Sequence, residues 1–288
     1  MKSELKDLTS NLEKKVEERT EEVTKAKKVI EHLFEEQTDS IIYAKRIQLS
    51  ILPPARQIKN SFPDSFVLFK PKDIISGDFY WYAEQGDNIF FAAVDCTGHG
   101  VPGALMTVVG YSLLNQAMAS KDNITPSEVL DQLNKGVSTT LRQGENEKAS
   151  KDGMDISVCC FNFKKNIMTW AGAFNPLYII RNGELTETKA DKFPIGYYAT
   201  NPDTLYKTHE FPLQKGDMIY MFTDGYCDQF GGPNGKKFMY KRFRELLLTI
   251  QSENMEKQGQ ILGKTIEDWI EEAKDEQLDD IEVIGIRV

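Results

Sequence analysis

The first fifty residues follow a seven-residue pattern of apolar positions. Residues 3–52 contain no glycine or proline and are rich in Glu, Lys and Leu. One repeat position and the position three residues after it form a mainly apolar seam. The two sets are Thr9, Val16, Val23, Ile30, Gln37, Ala44 and Ile51, and Leu5, Leu12, Arg19, Ala26, Leu33, Ser40 and Ile47. β-Branched residues in the first set and leucines in the second favour a parallel two-stranded coil, so we expect a parallel homodimer through residues 5–51. A single amphipathic helix packed on its own domain is the alternative.

The pattern changes at Pro53-Pro54, because proline removes a backbone donor and clashes with the preceding turn. We therefore expect two domains, a coiled-coil dimerisation and signalling helix (1–52) and a mixed α/β domain (53–288). The predicted strands are Phe66–Phe69, Asp78–Ala83, Ile89–Asp95, Ser157–Lys164, Ile167–Ala173, Leu177–Arg181, Met218–Thr223 and Ile281–Val288. The predicted helices are Gly103–Ser120, Ser127–Gln143, Tyr240–Gln251 and Met255–Lys274. Short turns between consecutive strands imply antiparallel pairing, with helices on the outer faces.

Charge and cysteine content exclude several classes of function. A net charge of -9, without any basic block, argues against a nucleic-acid partner. The four cysteines lack metal-ligand spacing, which favours reduced thiols in a cytoplasmic protein over zinc or disulfides. We expect no membrane segment in this chain, since no apolar run approaches about 18 residues. The cytoplasmic part of a longer, membrane-associated receptor with an upstream sensor domain would also fit.

Four aspartates stand at the ends of apolar strands and are the candidate chemical groups. They are Asp78, Asp95, Asp224 and Asp279. A carboxylate at such a place is partly desolvated, and several together can hold hard cations such as Mg²⁺ or Mn²⁺. Two ions about 3.5–4 Å apart would activate a water and neutralise a phosphoryl group. Taken singly, each aspartate could instead form a turn or lie on the surface.

The sequence around these aspartates resembles a known family. Residues 95–104, DCTGHGVPGA, closely resemble the DxxGHGxxGA element of PPM-type phosphatases of the SpoIIE/RsbU branch. Further elements match in order over residues 43–288: Tyr43–Pro53, Ser76–Tyr80, Ala171–Pro176, Pro194–Gly196, Thr223–Gly225 and Asp279–Ile281. The resemblance implies an α+β fold, a four-layer α-β-β-α sandwich of two antiparallel sheets, preceded here by the long coiled-coil helix.

The resemblance also implies a centre of two divalent cations, Mn²⁺ or Mg²⁺. Asp95 matches the aspartate that bridges both ions, and the carbonyl of Cys96 matches a backbone ligand. Asp78 matches the ligand of one ion, and Asp224 and Asp279 match ligands of the other. The following candidates complete the set: Gly98 and His99 beside the cofactor, Asp280 as the alternative to Asp279, and Asp155.

Two residues depart from the pattern of the branch, and one histidine has two interpretations. Glu282 stands where the branch usually has a small hydroxyl residue, and Asp155 stands where it is often apolar. Asp155 would either belong to a third, weaker ion site or cap a turn. His99 would either donate to the substrate or stabilise its own turn. Cys96 lacks the glycines and arginine that surround a catalytic thiolate, so a cysteine phosphatase is rejected.

The function implied by the resemblance is protein dephosphorylation. The substrate would be a phosphorylated protein similar to an anti-sigma-factor antagonist, dephosphorylated on serine or threonine in bacterial signalling and controlled through the coiled coil. The alternative is a catalytically silent dimeric signalling scaffold. Retention of all four aspartates argues against it, because an inactive relative would be expected to lose metal ligands.

Overall fold

The computed structural model describes residues 2–144, 150–196 and 205–288. They divide into two compact units, Met1–Arg46 and Ile47–Val288. Helix α1 (Lys2–Ile51) ends two residues before Pro53, as the prolines predict. Of the predicted seam residues, the side chains of Leu5 and Thr9 lie outside the described part. No helix in these ranges is both long and apolar enough to cross a membrane.

The second unit contains six further helices and thirteen strands in its described residues. The helices are α2 (Ala55–Ser61), α3 (Gly100–Ser120), α4 (Pro126–Thr140), α5 (Gly225–Asp228), α6 (Tyr240–Ile250) and α7 (Met255–Ala273). The strands are β1 (Ser65–Lys70), β2 (Phe79–Gln85), β3 (Asn88–Cys96), β4 (Gly153–Asn162), β5 (Ile167–Ala173), β6 (Leu177–Arg181), β7 (Glu184–Thr188), β8 (Ile195–Gly196), β9 (His209–Pro212), β10 (Met218–Phe222), β11 (Phe230–Gly231), β12 (Lys236–Lys237) and β13 (Ile281–Arg287).

The strands form two antiparallel sheets and one small hairpin. The first sheet has the order β1-β13-β10-β6-β7. The second has the order β2-β3-β4-β5-β9, with β8 paired to β4. Strands β11 and β12 pair only with each other. Tight turns explain part of this order, because Asn182 and Gly183 both have positive φ and connect β6 directly to β7.

Three apolar clusters define four layers. One cluster joins α3 and α4 to the second sheet through residues such as Leu114 and Leu133. Another joins α6 and α7 to the first sheet and includes Phe243 and Leu262. The third lies between the sheets and contains Phe91 from one sheet and Ile284 from the other. The order helix–sheet–sheet–helix confirms the predicted fold.

The structure extends the predicted elements at several places. All eight predicted strands and four predicted helices of this unit are present; β5 and β6 have the predicted ends, and the ends of the others are shifted. The prediction missed α2, α5, β7, β8 and β9. The prediction also missed β11 and β12, which pair with each other and leave residues 232–235 as the turn of a short hairpin. Helix α4 begins one residue before its predicted start: Thr125 is the N-cap and forms a reciprocal capping box with Glu128, with Pro126 between them in the first turn.

Candidate metal centre

Strand pairing brings the ends of two strands together in each of the two sheets. In the second sheet, Phe79 at the start of β2 pairs with Val94 near the end of β3. In the first sheet, Phe222 at the end of β10 pairs with Val283 near the start of β13. The residues just beyond each pair are therefore neighbours within their own sheet. They include Asp78 before β2, Asp224 after β10, and Asp279 and Asp280 before β13.

A pair of like charges lies across the second sheet at this end. Asp95 on β3 is the register partner of Asp155 at the start of β4. Two carboxylates directly opposite each other on neighbouring strands are destabilising unless something neutralises them. The sequence suggested both residues separately, but only the β3–β4 register makes them neighbours.

Asp95 is at the electrostatic centre of the acidic group. Burial, and then the charges of Asp224, Asp155 and Asp279, raise the pKa of Asp95 well above its ordinary value. Burial, and then the charge of Asp95, raise the pKa of Asp78 in the same direction. Four of the predicted ligands thus interact with Asp95, and each ionised member makes ionisation of the others more costly.

Other carboxyl groups of the acidic group also have a raised pKa. Burial, followed by the charge of Asp224, raises the pKa of Asp155 to about 7. Burial, followed by the charges of Asp228 and Asp279, raises the pKa of Asp224. Asp279 itself is exposed. A bound cation would reverse these effects, because it favours the charged form of every carboxylate facing it.

An open cavity gives solvent access to this acidic group. Its floor and walls come from the second sheet, the loop after β3 and the loop before β13. The lining residues in the described part of the chain are Asp95, Cys96, Thr97, Gly98, His99, Lys151, Gly153, Met154, Asp155, Pro194, Ile195, Asp224 and Asp279. Most predicted site residues share this cavity; Asp78 is 2% exposed and does not line it.

Asp280 has a different position from Asp279. Its carboxylate is buried and accepts hydrogen bonds from the backbone N–H of Lys72 at 2.8 Å and of Gly77 at 2.7 Å. Asp280 therefore fixes the loop that leads into Asp78, whereas Asp279 faces the cavity. This difference favours Asp279 over Asp280 as the residue available to a cation.

The loops carrying Asp78 and Asp95 approach each other through glycine. A Cβ on Gly77 would lie 2.4 Å from the carbonyl oxygen of Gly98, and a Cβ on Gly103 would lie 2.2 Å from the same oxygen. Gly98 itself has a φ of +83°. A side chain at Gly77 or Gly103 would push the two loops apart, so these positions fix the distance between Asp78 and the segment after β3.

The side chains of His99 and Cys96 have different surroundings, since His99 is hydrogen-bonded and Cys96 is buried. His99 Nδ1 donates to Asp73 at 2.6 Å, and Lys72 Nζ lies 3.0 Å from His99 Nε2, so both ring nitrogens have partners. Burial, and then the charges of Asp78 and Asp95, raise the pKa of the Cys96 thiol well above its ordinary value. The raised pKa favours the protonated thiol, which is a poor nucleophile.

The donor set fits hard divalent cations. It consists of carboxylate oxygens, and Asp78 Oδ2 is buried without a hydrogen-bond partner. In the described residues, no three His, Cys, Asp or Glu side chains are arranged to hold an ion by themselves.

Three residues near the site were not predicted as site residues. Gln48, within the last turn of α1, is 4% exposed and hydrogen-bonds both the backbone N–H and carbonyl of Ser76. Lys151 is the one lysine among the described cavity-lining residues. Glu282 is completely buried beside Asp78. Gln48 lies in the predicted coiled-coil helix and Glu282 in a predicted strand, so the sequence around each residue does not predict its contact near the site.

The four-layer sandwich with acidic residues at one end of its sheets defines the chain as a PPM-class, or PP2C-like, serine phosphatase. The sequence model of the SpoIIE family (Stage II sporulation protein E) matches residues 85–288, and the chain belongs to that family. This confirms the resemblance seen in the sequence and the enzyme class it implied. Members of the PPM class are metal-dependent phosphatases.

Relatives agree with this assignment. Phosphoserine phosphatase RsbU of Bacillus subtilis (strain 168) is 29% identical over 223 residues, which cover 75% of this chain and 61% of RsbU. The chain therefore spans less than two thirds of that relative. The SiaA-PP2C domain of Pseudomonas aeruginosa is 32% identical with a TM-score of 0.79, over 88% of this chain and 98% of that domain. RsbX in complex with magnesium shares the fold, at 16% identity and a TM-score of 0.52, over 78% and 94% of the two chains.

Proposed function

We propose that this chain removes phosphate from phosphoserine or phosphothreonine in a partner protein, using two divalent cations, Mn²⁺ or Mg²⁺. The ligands would be Asp78, Asp95, Asp224 and Asp279, with the carbonyl of Cys96. The observation that carries the proposal is the acidic group centred on Asp95, whose members repel each other unless a cation lies among them. The magnesium bound by RsbX, which has the same fold, is consistent with it.

Some residues of the chain would hold the cations, and others would attract the phosphate group of the substrate. When bound, the cations acidify water and neutralise charge on the phosphoryl group. Asp95 would hold both ions, Asp78 one of them, and Asp224 and Asp279 the other. Lys151, at the cavity wall, would attract the phosphate dianion. Asp155 would serve a third, weaker ion, since it is the register partner of Asp95.

The substrate we propose is a phosphorylated protein similar to an anti-sigma-factor antagonist, in bacterial signalling. The relative RsbU is a phosphoserine phosphatase, which supports the amino-acid class. With Mn²⁺ present, the chain should release phosphate from a phosphoserine or phosphothreonine protein of this kind, and much less from a phosphotyrosine peptide. Phosphate release across such a panel measures this preference. A chain that binds the phosphoproteins but releases no phosphate from any of them would instead be a silent scaffold.

We also propose that helix α1 forms a parallel homodimer through residues 5–51. In the single chain, seam residues Ile30 and Leu33 are 66% and 57% exposed, and flanking Val29 and Phe34 are 58% and 70% exposed. An exposed, mainly apolar stripe on a helix is stabilised when a partner covers it. A second copy of the same helix offers a matching stripe.

Removal of residues 1–40 should weaken this dimer and change the basal activity. The truncation deletes five of the seven residues in one seam set and six of the seven in the other, yet keeps the turns that contain Gln48. Sedimentation velocity over a range of concentrations should show a dimer for the full chain and a monomer for the truncated one. An unchanged monomer–dimer equilibrium would contradict the proposed coiled coil.

Control through the helix would reach the acidic group by way of Gln48. Gln48 Nε2 donates to the carbonyl of Ser76 at 2.5 Å, and the N–H of Ser76 donates back to Gln48 Oε1 at 3.1 Å. Ser76 is two residues from Asp78, and Thr107 on α3 also donates to the carbonyl of Gly77.

We propose a cytoplasmic location, which suits four free, buried cysteines.

A further inference from the structure

Glu282 is a buried carboxylate that the proposed function does not use. It is the second residue of β13 and is 0% exposed. Thr223 fixes its backbone through two hydrogen bonds, since the N–H of Glu282 donates to Thr223 Oγ1 at 3.0 Å and its carbonyl accepts from the N–H of Thr223 at 3.0 Å. In the part of the chain that the structure describes, neither side-chain oxygen has a hydrogen-bond partner. Such a group is expensive in a protein interior unless something compensates it.

The side chain of Glu282 points into the space between the sheets. Side chains alternate along a strand, and Ile284 and Ile286 of β13 belong to the apolar cluster between the sheets. Glu282 shares their face, at the end of the strand nearest the acidic group. It therefore lies on the inner side of that group, away from the open cavity, where it does not line the wall.

The electrostatic neighbours of Glu282 are acids. Burial, and then the charges of Asp95 and Asp280, raise the pKa of Glu282 well above its ordinary value. Glu282 in turn contributes to the raised pKa of Asp78 and of Tyr80. Asp78 Oδ2 is likewise buried without a hydrogen-bond partner. Two carboxyl groups, each with unsatisfied oxygens, thus lie close together in the interior with no basic side chain bonded to Glu282 in the described residues.

We propose that Glu282 belongs to the metal centre and that, with Asp78, it holds a hard divalent cation from the inner side. The proposal rests on the proposed function for the presence of the cations, and it adds a glutamate to the four aspartates. A cation turns the neighbouring carboxylates from a repulsive group into a ligand set. The position would otherwise favour an apolar residue, such as the isoleucines that follow it on the same face. This chain would hold the ion at Asp78 more tightly than four aspartates allow.

The test is metal binding by Glu282→Gln, measured without substrate. Glutamine has the same size but no charge, so the fold should be kept. Titration of the metal-free chain with Mn²⁺, following the free ion by electron paramagnetic resonance, should show one of two sites weakened on the order of ten-fold or more. The Mn²⁺-induced rise in melting temperature should shrink accordingly. Glu210→Gln, an exposed glutamate on β9, is the matched control and should bind Mn²⁺ like the unmodified chain.

The metal-free variant separates this role from a structural one. Removing one of several neighbouring acids lowers repulsion, so metal-free Glu282→Gln should melt at the same temperature as the unmodified chain or higher. A lower melting temperature, or unchanged Mn²⁺ affinity at both sites, would overturn the proposal. Because the readout needs no turnover, unchanged affinity would leave the proposed phosphatase function standing. An unmodified chain that binds Mn²⁺ but releases no phosphate would contradict the function alone.

Discussion

Asp95→Asn should reduce phosphate release on the order of a thousand-fold or more, the largest effect expected of any single substitution. Asp95 interacts with Asp224, Asp155 and Asp279, and its charge raises the pKa of Asp78. No other residue of the acidic group has that central position. Asparagine keeps the shape and removes the charge, so it tests the charge alone. The measurement is Mn²⁺-dependent release of phosphate from a phosphoserine peptide.

Two comparisons make this result specific to the site. Asp87→Asn is the matched control, because Asp87 is an exposed aspartate that pairs with Lys164 on the surface. Its activity should be unchanged. The melting temperature of metal-free Asp95→Asn should not fall, since the substitution removes repulsion from neighbouring acids. Full activity in Asp95→Asn would contradict the proposed role of Asp95.

Gly103→Ala should have the second largest effect, on both stability and activity. The new methyl group would lie 2.2 Å from the carbonyl oxygen of Gly98 and 2.7 Å from Cα of Gly77. Both neighbours are backbone atoms, so no side chain can rotate away. Forcing the loops apart should lower the free energy of unfolding by about 3 kcal/mol. It should also displace Asp78 from Asp95 and reduce activity on the order of a hundred-fold at equal folded fraction.

Gly263→Ala provides the control for this substitution. Gly263 lies in α7, where a Cβ would meet only the side chain of Leu68, at 3.3 Å. Alanine favours the helix by roughly 0.5–1 kcal/mol over glycine, so this variant should be as stable as the unmodified chain or more stable. Chemical denaturation and phosphate release, measured on both variants, give the comparison. Wild-type stability and activity in Gly103→Ala would show that the two loops are not held by this contact.

The sequence predicts the framework of the site better than its details. Apolar runs that end in Asp95 and Asp224 locate two strand ends. The glycines around Gly98 indicate that another part of the backbone approaches this segment closely. Such local patterns suffice because a buried strand needs consecutive apolar residues, whatever lies beside it. Antiparallel strands with helices on their outer faces follow from the same patterns, whereas the four-layer order was implied by the family resemblance.

Contacts between distant segments could not be predicted in the same way. The pairing of Asp95 with Asp155 depends on the register of β3 and β4, which one residue of slip would change. Strands as short as β8, with two residues, carry no periodic signal. The buried position of Glu282 contradicts its residue type, since a glutamate is rarely buried without a partner. A departure of this kind from local preference often marks a functional group.

The most direct test of a metal-dependent phosphatase is one assay on the unmodified chain. Phosphate release from a phosphoserine protein is measured after removal of metal by a chelator, and again after Mn²⁺ is restored in excess. We expect no release above the uncatalysed rate in the chelated sample and full recovery with Mn²⁺, because the carboxylates around Asp95 need a cation among them. Undiminished release in excess chelator would contradict the account.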